Sequence, residues 1–289
     1  MSWVSINEDA CTVCGTCVER CACFSEKEGE IIASADENSC IGCGHCVSLC
    51  PTGAITHSQM NMDNFIAMDE DLKIKTDDFI EFIRRRRSHR KFADKPVPRE
   101  VLDKLVDVCR YAPTGSNVQN VEILILQDPK KIRKLSDLTT ESFEKAQEML
   151  EQRATALKAG GKELPGSMQY SLDVLRRRSQ RMAGLEPGRD MVFHKAPVVW
   201  IFHSPEATSA PKDNGVIAST TVALTARTMG LESTYIGIFE AAATYRPIVE
   251  ELNLPPGHKI FSVLIMGYPS WTYLRTVDRK PIKVRFEQE

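Results

Sequence analysis

Residues 40–51 read CIGCGHCVSLCP, and residues 11–21 read CTVCGTCVERC. Cys11, Cys14, Cys17 and Cys21 each recur 29 residues later, as Cys40, Cys43, Cys46 and Cys50. Such a repeat is two copies of one small ligand-bearing unit. Nine of the ten cysteines precede residue 51, so they serve that unit rather than the chain at large. Disulfides would need an oxidising compartment, and the N-terminal MSWVSINEDACTVC has neither the basic nor the apolar region of a secretory signal. The cysteines therefore read as thiolates holding metal. The x2 spacing turns three of them inward from a tight loop onto one cubane cluster. Gly15, Gly42 and Gly44 permit the turns that bring backbone amides toward sulfide. Four thiolates also suit zinc, but zinc sites draw two x2-spaced pairs together and do not need four cysteines in each run.

The two runs resemble the bacterial two-cluster ferredoxin, in which the fourth cysteine of each run ligates the other cluster. The resemblance covers residues 1–58. It implies two [4Fe–4S] clusters, one held by Cys11, Cys14, Cys17 and Cys50, the other by Cys40, Cys43, Cys46 and Cys21. After Cys21 this chain has Ala22 where the family has proline, then Cys23, which reads as a buried bystander. Cys109 reads as a core residue of a helix. Through residue 58, eight acidic side chains against two basic ones give a net charge of −6, which repels nucleic acid and suits an electron carrier.

Composition bounds the rest. At 289 residues the chain holds one large domain or two unequal ones. A hydrophobic fraction of 42% and a charged fraction of 26% are those of a soluble globular protein. The net charge of −2 gives no case for nucleic-acid binding, and no apolar run reaches the about 18 residues a membrane span needs. The expected location is the cytoplasm.

Beyond residue 58, stretch 59–75 lacks periodicity and reads as a linker. TDDFIEFIRRRR (76–87) reads as a helix with Phe79, Phe82 and Ile83 as its buried stripe. Asp77 and Asp78 suit its positive end, and Arg84 and Arg85 are a solvated end matched to the helix dipole. A second helix begins at Pro98, carries Val101, Leu102, Leu105, Val106 and Cys109 on one face, and stops before Pro113. VEILIL (121–126) and APVVWIF (196–202) read as buried strands. Residues 128–190 between them are polar and helical in pattern, broken by GGKELPG at 160–166: an inserted, lid-like helical region. GVIASTTVALTARTMG (215–230) is a small-residue helix ended by Gly230. STYIGIF (233–239) and HKIFSVLIMGYP (258–269) read as strands around a helix at Tyr245–Leu252. Helices interspersed with strands point to an α+β fold.

Five segments now fall into one order and spacing: RRSHRKF (86–92), APTGSNVQN (112–120), GLESTYIGIFE (230–240), LNLPPGHKIFSVLIMGYPS (252–270) and DRKP (278–281). From about residue 76 to 289, least across 128–190, the chain resembles the nitroreductase family, of which ferredoxin-fused members are a recognised arrangement. The resemblance implies an α+β sandwich forming a swapped homodimer, with FMN at the subunit interface. It implies that Arg86, Ser88 and Arg90 grip the FMN phosphate and ribityl chain, and that Arg279 and Lys280 are the second basic pair. Thr114, Asn117 and Gln119 match the polar loop near the flavin, although Asn120–Val121 follow where the family has a Pro-aromatic pair. Tyr235, Ile236, Gly237 and Ile238 match the backbone that lies against the isoalloxazine. Basic segments so far apart in sequence that match one phosphate site are not a linear nucleic-acid tag.

The activity implied is transfer of low-potential electrons, from reduced ferredoxin or a similar donor, through the clusters to FMN. From there a small organic acceptor (nitroaromatic, quinone or related) is reduced by a ping-pong mechanism. Two alternatives stay open: a specialised reductive dehalogenase or enoate-type reductase with 128–190 as lid, or a non-enzymic electron-transfer or redox-sensing flavoprotein. No residue is singled out as a general acid. Tyr170, Phe193, His194 and His203 read as core or surface.

Overall fold

In the computed structural model, which describes residues 2–183 and 189–287, the chain divides into two compact units. One runs to Lys75 and includes Gly115–Val118; the other takes in the rest.

In the first unit, β1 (Val4–Ile6) leads to the first cysteine run and α1 (Thr16–Arg20). The hairpin β2 (Phe24–Lys27) and β3 (Glu30–Ala33) separates it from the second run and α2 (His45–Leu49), and β4 (Ile55–His57) returns antiparallel to β1. Each helix starts at a glycine in left-handed backbone, Gly15 at φ 74° and Gly44 at φ 70°, where a side chain would add strain. Val4, Cys23, Phe24, Ala35, Cys46 and Ile55 form the small core.

The second unit opens with α3 (Thr76–Arg85) and α4 (Arg99–Cys109), followed by β5 (Glu122–Leu126). The polar stretch is two helices, α5 (Pro129–Ala159) and α6 (Gly166–Ala183), broken where the glycines and Pro165 fall; residues 184–188 of that region lie outside the described residues. Then come β6 (Val198–Pro205), α7 (Pro211–Thr228), β7 (Glu232–Tyr235), α8 (Gly237–Ala242), α9 (Arg246–Leu252) and β8 (His258–Gly267). The sheet order is β5-β6-β8-β7, and every pairing is antiparallel. β6 is buried on both faces. Val198, Trp200 and Phe202 pack with Leu102, Leu105, Val222 and Ala226 of α4 and α7, while Val199 and Ile201 pack with Leu135, Phe239 and Ile248 of α5, α8 and α9. Alternation with period two thus gives an α+β sandwich with helices on each side of one sheet. No helix among the described residues is long and apolar enough to cross a membrane.

Three expectations need correction. The stripe of α3 is not buried: Phe79 is 51% exposed and Ile83 40%, because helical periodicity marks a face that needs cover without saying what covers it. STYIGIF is not one strand, since β7 ends at Tyr235 and Gly237 opens α8. In α4 the buried face is Leu102 and Leu105, with Val106 exposed.

Ahead of β6, Asp190 organises a tight turn. Its carboxylate accepts from the Ser136 hydroxyl at 2.6 Å and from the backbone N–H groups of Val192, Phe193 and Lys195, each at 3.0 Å. Those bonds hold His194 and Lys195 in left-handed backbone, φ 54° at both, a conformation costing about 1–2 kcal/mol per side-chain-bearing residue. Burial pushes the Asp190 carboxyl up, but the four donors outweigh it and hold its pKa below the ordinary 3.8. The stabilisation is therefore full above 3.8 and fades as the pH falls through the lower folded value. Asp190→Asn, which sets an amide donor against the Lys195 N–H, should cost about 2–4 kcal/mol at neutral pH in denaturant unfolding. It should also flatten the acid limb of the stability curve; an unchanged acid limb would remove Asp190 from this account.

Candidate functional site

The cysteines gather into two cavities. Cys11, Cys14, Cys17 and Cys50 line one, with Thr16 and Thr52. Cys21, Cys40, Cys43 and Cys46 line the other, with Cys23 and His57. Donors converge on the sulfurs. The Ala54 N–H lies 3.2 Å from Cys50 Sγ and the Gly42 N–H 3.4 Å from Cys40 Sγ, while the Thr16 and Thr52 hydroxyls lie 3.5 Å from Cys14 and 3.7 Å from Cys50. Thr16 lowers the Cys14 pKa. Burial pushes Cys50 up, but Thr52 and the Ala54 and Ile55 amides bring it below its ordinary value. Cys17 and Cys46 are pushed up by burial, so there a metal must displace the proton. Four thiols in the first cavity, and four from the two runs beside Cys23 in the second, with N–H and O–H donors around the sulfurs, form donor sets that fit a cubane iron–sulfur cluster. Cys23 is buried and donates to the Ser39 carbonyl. Cys109 lies outside both cavities, its thiol pushed up to about 11 by burial.

His57 was not legible in the sequence, where nothing but its place seven residues after Cys50 could have marked it. It is 2% exposed, and burial lowers its pKa, so the ring is neutral. Its Nδ1 accepts the Gln59 N–H at 3.2 Å, which leaves the ring proton on Nε2, 3.6 Å from Cys40 Sγ. An N–H donor to a ligating sulfur favours the more negative, reduced state of the metal group. His57→Phe should lower the midpoint potential at this site by on the order of 20–60 mV, the equivalent of one lost hydrogen bond. Potentiometric titration followed by electron paramagnetic resonance would check it; an unmoved potential would exclude the bond.

The basic run lies just beyond α3. Arg86 and Ser88 are half-buried and Arg90 is exposed. His89, 1% exposed, anchors the segment: its N–H donates to the Ser233 carbonyl and its Nε2 to the Lys91 carbonyl at 2.8 Å. Its ring packs among Phe92, Trp271 and Tyr273. From Ser270 to Glu287 the chain forms neither helix nor strand and is exposed, so Arg279 and Lys280 are in solvent, with no hydrogen bond or ion pair to 86–90 among the described residues. Thr114 accepts the Gln119 N–H at 3.0 Å across a loop in which Ser116, Asn117 and Gln119 all have positive φ. The Asn117 amide donates to the Ile41 and Gly42 carbonyls of the second cysteine loop, at 3.0 and 2.8 Å, within the first unit. Tyr235 bonds Thr220 at 2.8 Å, the Ile236 N–H donates to the Val263 carbonyl, and Ile238 packs on the core.

Two features fit an anionic, flat ligand. Arg87 Nε, next to Ser88, is a buried donor without a partner, which costs about 1–3 kcal/mol unless an acceptor from outside the chain bonds it. Gly237 has no left-handed φ, and a Cβ there would meet open space. Neither backbone nor crowding within the chain closes this position, so the bare backbone at 237 leaves room for a flat group to approach from outside. Of the residues set aside earlier, Phe193 is core and Tyr170 is exposed.

The profile of the nitroreductase family matches residues 83–268, and that of a 4Fe-4S binding domain matches 33–56. Iodotyrosine deiodinase 1 of Rattus norvegicus is 26% identical over 76 residues, which is 26% of this chain and 27% of the relative. The chain thus spans about a quarter of that relative's length. FMN reductase (NAD(P)H) of Bacillus subtilis is 25% identical over 207 residues, 70% of this chain and 68% of the relative. A nitroreductase with bound FMN from Bacteroides fragilis shares the fold, with a TM-score of 0.52 at 18% identity over 71% of this chain and 97% of that one.

Proposed function

The chain belongs to the nitroreductase family, and from that premise we propose that it reduces a small organic acceptor at an FMN site, using low-potential electrons admitted through two cysteine-held [4Fe–4S] clusters. The observation that carries this reading is that the eight cysteines of the two runs line two cavities, four to each, with Cys23 beside the second, in a chain that also carries the nitroreductase fold. When bound, iron–sulfur clusters exchange single electrons and a flavin exchanges one or two, so the pair joins a one-electron donor to a two-electron acceptor.

The chain's own residues divide the work. Cys11, Cys14, Cys17 and Cys50 hold one cluster, and Cys40, Cys43, Cys46 and Cys21 the other. Arg86 and Arg90 present guanidinium donors and Ser88 a hydroxyl to a phosphate dianion, a geometry suited to bidentate, charge-assisted bonds. Arg279 and Lys280 add charge from the tail. The Thr114–Gln119 loop offers polar groups to the ring; Asn117, its amide protons already taken, has its side-chain carbonyl left to accept a ring N–H. Gly237 allows backbone to approach the ring face, between Ile236 and Ile238, next to Tyr235. Leu274, Ile282 and Phe286 on the tail are 84–88% exposed, which supports a swapped homodimer in which a second copy covers them. The reaction is ping-pong: electrons enter at the clusters, the donor leaves, and the acceptor then takes them at the exposed ring face.

The similarity to a deiodinase favours a halogenated aromatic as a second acceptor class, so the test carries both. Protein prepared without air is assayed for iron, sulfide and flavin, then for turnover of a nitroaromatic, a quinone and a halophenol with reduced ferredoxin as donor. Iron and flavin together, with turnover of one class, are expected; iron without flavin, or flavin that reduced ferredoxin never reaches, would end this reading.

A further inference from the structure

Glu122 of β5, His203 of β6 and His258 of β8 meet at one end of the sheet. Register puts them on one face. Glu122 is the cross-strand partner of His203, which in turn faces Ile260, and His258 lies two residues before Ile260. Lys259, between them, points to the opposite face and pairs with Glu206. The irregularity between Phe202 and His203 re-aims the strand at this point. The two imidazoles face each other through Nδ1 at 2.9 Å, and the Glu122 carboxylate lies 3.8 Å from His258 Nε2. One donor atom from each residue falls within 4.8 Å of the other two.

A single proton bridging the facing nitrogens of two neutral imidazoles accounts for that pair, while the Glu122 carboxylate, 3.8 Å from His258 Nε2, is too far to hydrogen-bond it. A metal ion uses all three groups. Two nitrogens at about 2.0–2.1 Å from one ion stand about 2.9–3.4 Å apart for angles between octahedral and tetrahedral, and the observed spacing is at the tight end of that range. Both rings are buried while Glu122 is largely exposed, so the site has a rigid floor and an open door.

We propose that Glu122, His203 and His258 form a binding site for a divalent transition metal of the zinc type, with water completing the shell. Two imidazoles and one carboxylate are ligands for such an ion and not for magnesium or calcium, which take oxygen donors. The ion fastens three adjacent strands whose ligands are far apart in sequence, and its binding stabilises the folded chain by mass action. This inference stands on the sheet alone and does not depend on clusters or flavin.

The test uses the whole, anaerobically prepared, cluster-loaded protein, equilibrated with zinc and then desalted. A single zinc should be retained with the iron content unchanged, and zinc-edge X-ray absorption should show nitrogen and oxygen but no sulfur in its first shell. Glu122→Gln, at a largely exposed position that leaves the core intact, should weaken zinc binding by about 10- to 100-fold. His258→Gln should abolish retention, and zinc should raise the unfolding temperature of the unmodified chain but not that of His258→Gln. No retained zinc, sulfur in its shell, or undiminished retention by His258→Gln would overturn the proposal.

Discussion

Cys43→Ser should strip iron from one cavity while the flavin content stays that of the unmodified protein. Cys43 is exposed, so its replacement removes a ligand without opening a hole in the small core that Cys46 helps to form. A serine hydroxyl is a far weaker iron ligand than a thiolate at neutral pH, and with three thiolates left the cavity loses its donor set. Turnover driven by reduced ferredoxin should then fall by at least about tenfold, a barrier increase of about 1.4 kcal/mol or more. Cys109→Ser is the control: that thiol lies outside both cavities, and its iron count should not move. Iron retained in full by Cys43→Ser would exclude Cys43 as a ligand. Flavin lost together with iron would mean that the variant reports folding instead.

Arg86→Ala and Arg90→Ala should each weaken FMN binding by about 10- to 150-fold, the loss of one charge-assisted contact of about 1.5–3 kcal/mol. Arg84→Ala, at the exposed end of α3, should change affinity and stability by less than about 0.5 kcal/mol. Flavin fluorescence quenching on titrating the flavin-free protein measures all three. The comparison separates a phosphate grip from general positive charge, since each variant removes the same charge. Equal losses for Arg84 and Arg90 would turn the run back into a solvated helix end. Gly237→Ala adds an independent check: a Cβ there has room within the chain, so the fold should be untroubled while flavin affinity drops. Unchanged affinity would mean that nothing approaches that backbone.

What could be read in advance depended on how local each determinant is. The grouping of the cysteines is written into spacing, because neighbouring residues of one loop face one cavity; hence both runs and the glycines before α1 and α2 were legible. So was β6, whose unbroken apolar run has to be covered on both faces. The open stripe of α3 defeated the reading because helical periodicity marks an apolar face without saying whether the chain covers it. STYIGIF defeated it because β-branched and aromatic residues favour strand up to Tyr235, whereas beyond Ile236 the chain turns into α8 and buries Phe239 under the sheet. His57, Asp190 and the Glu122–His203–His258 group depend on partners remote in sequence or on exact register, and one sequence carries no mark of either.

The tail from Ser270 has a consequence for handling the protein. Leu274, Ile282, Val284 and Phe286 leave their apolar surface in water, so part of the hydrophobic driving force is still unspent within a single chain. If a second copy supplies the cover, dilution itself becomes a denaturant. The thermal midpoint would climb with protein concentration, and shelf life at assay dilution would be shorter than in the concentrated stock.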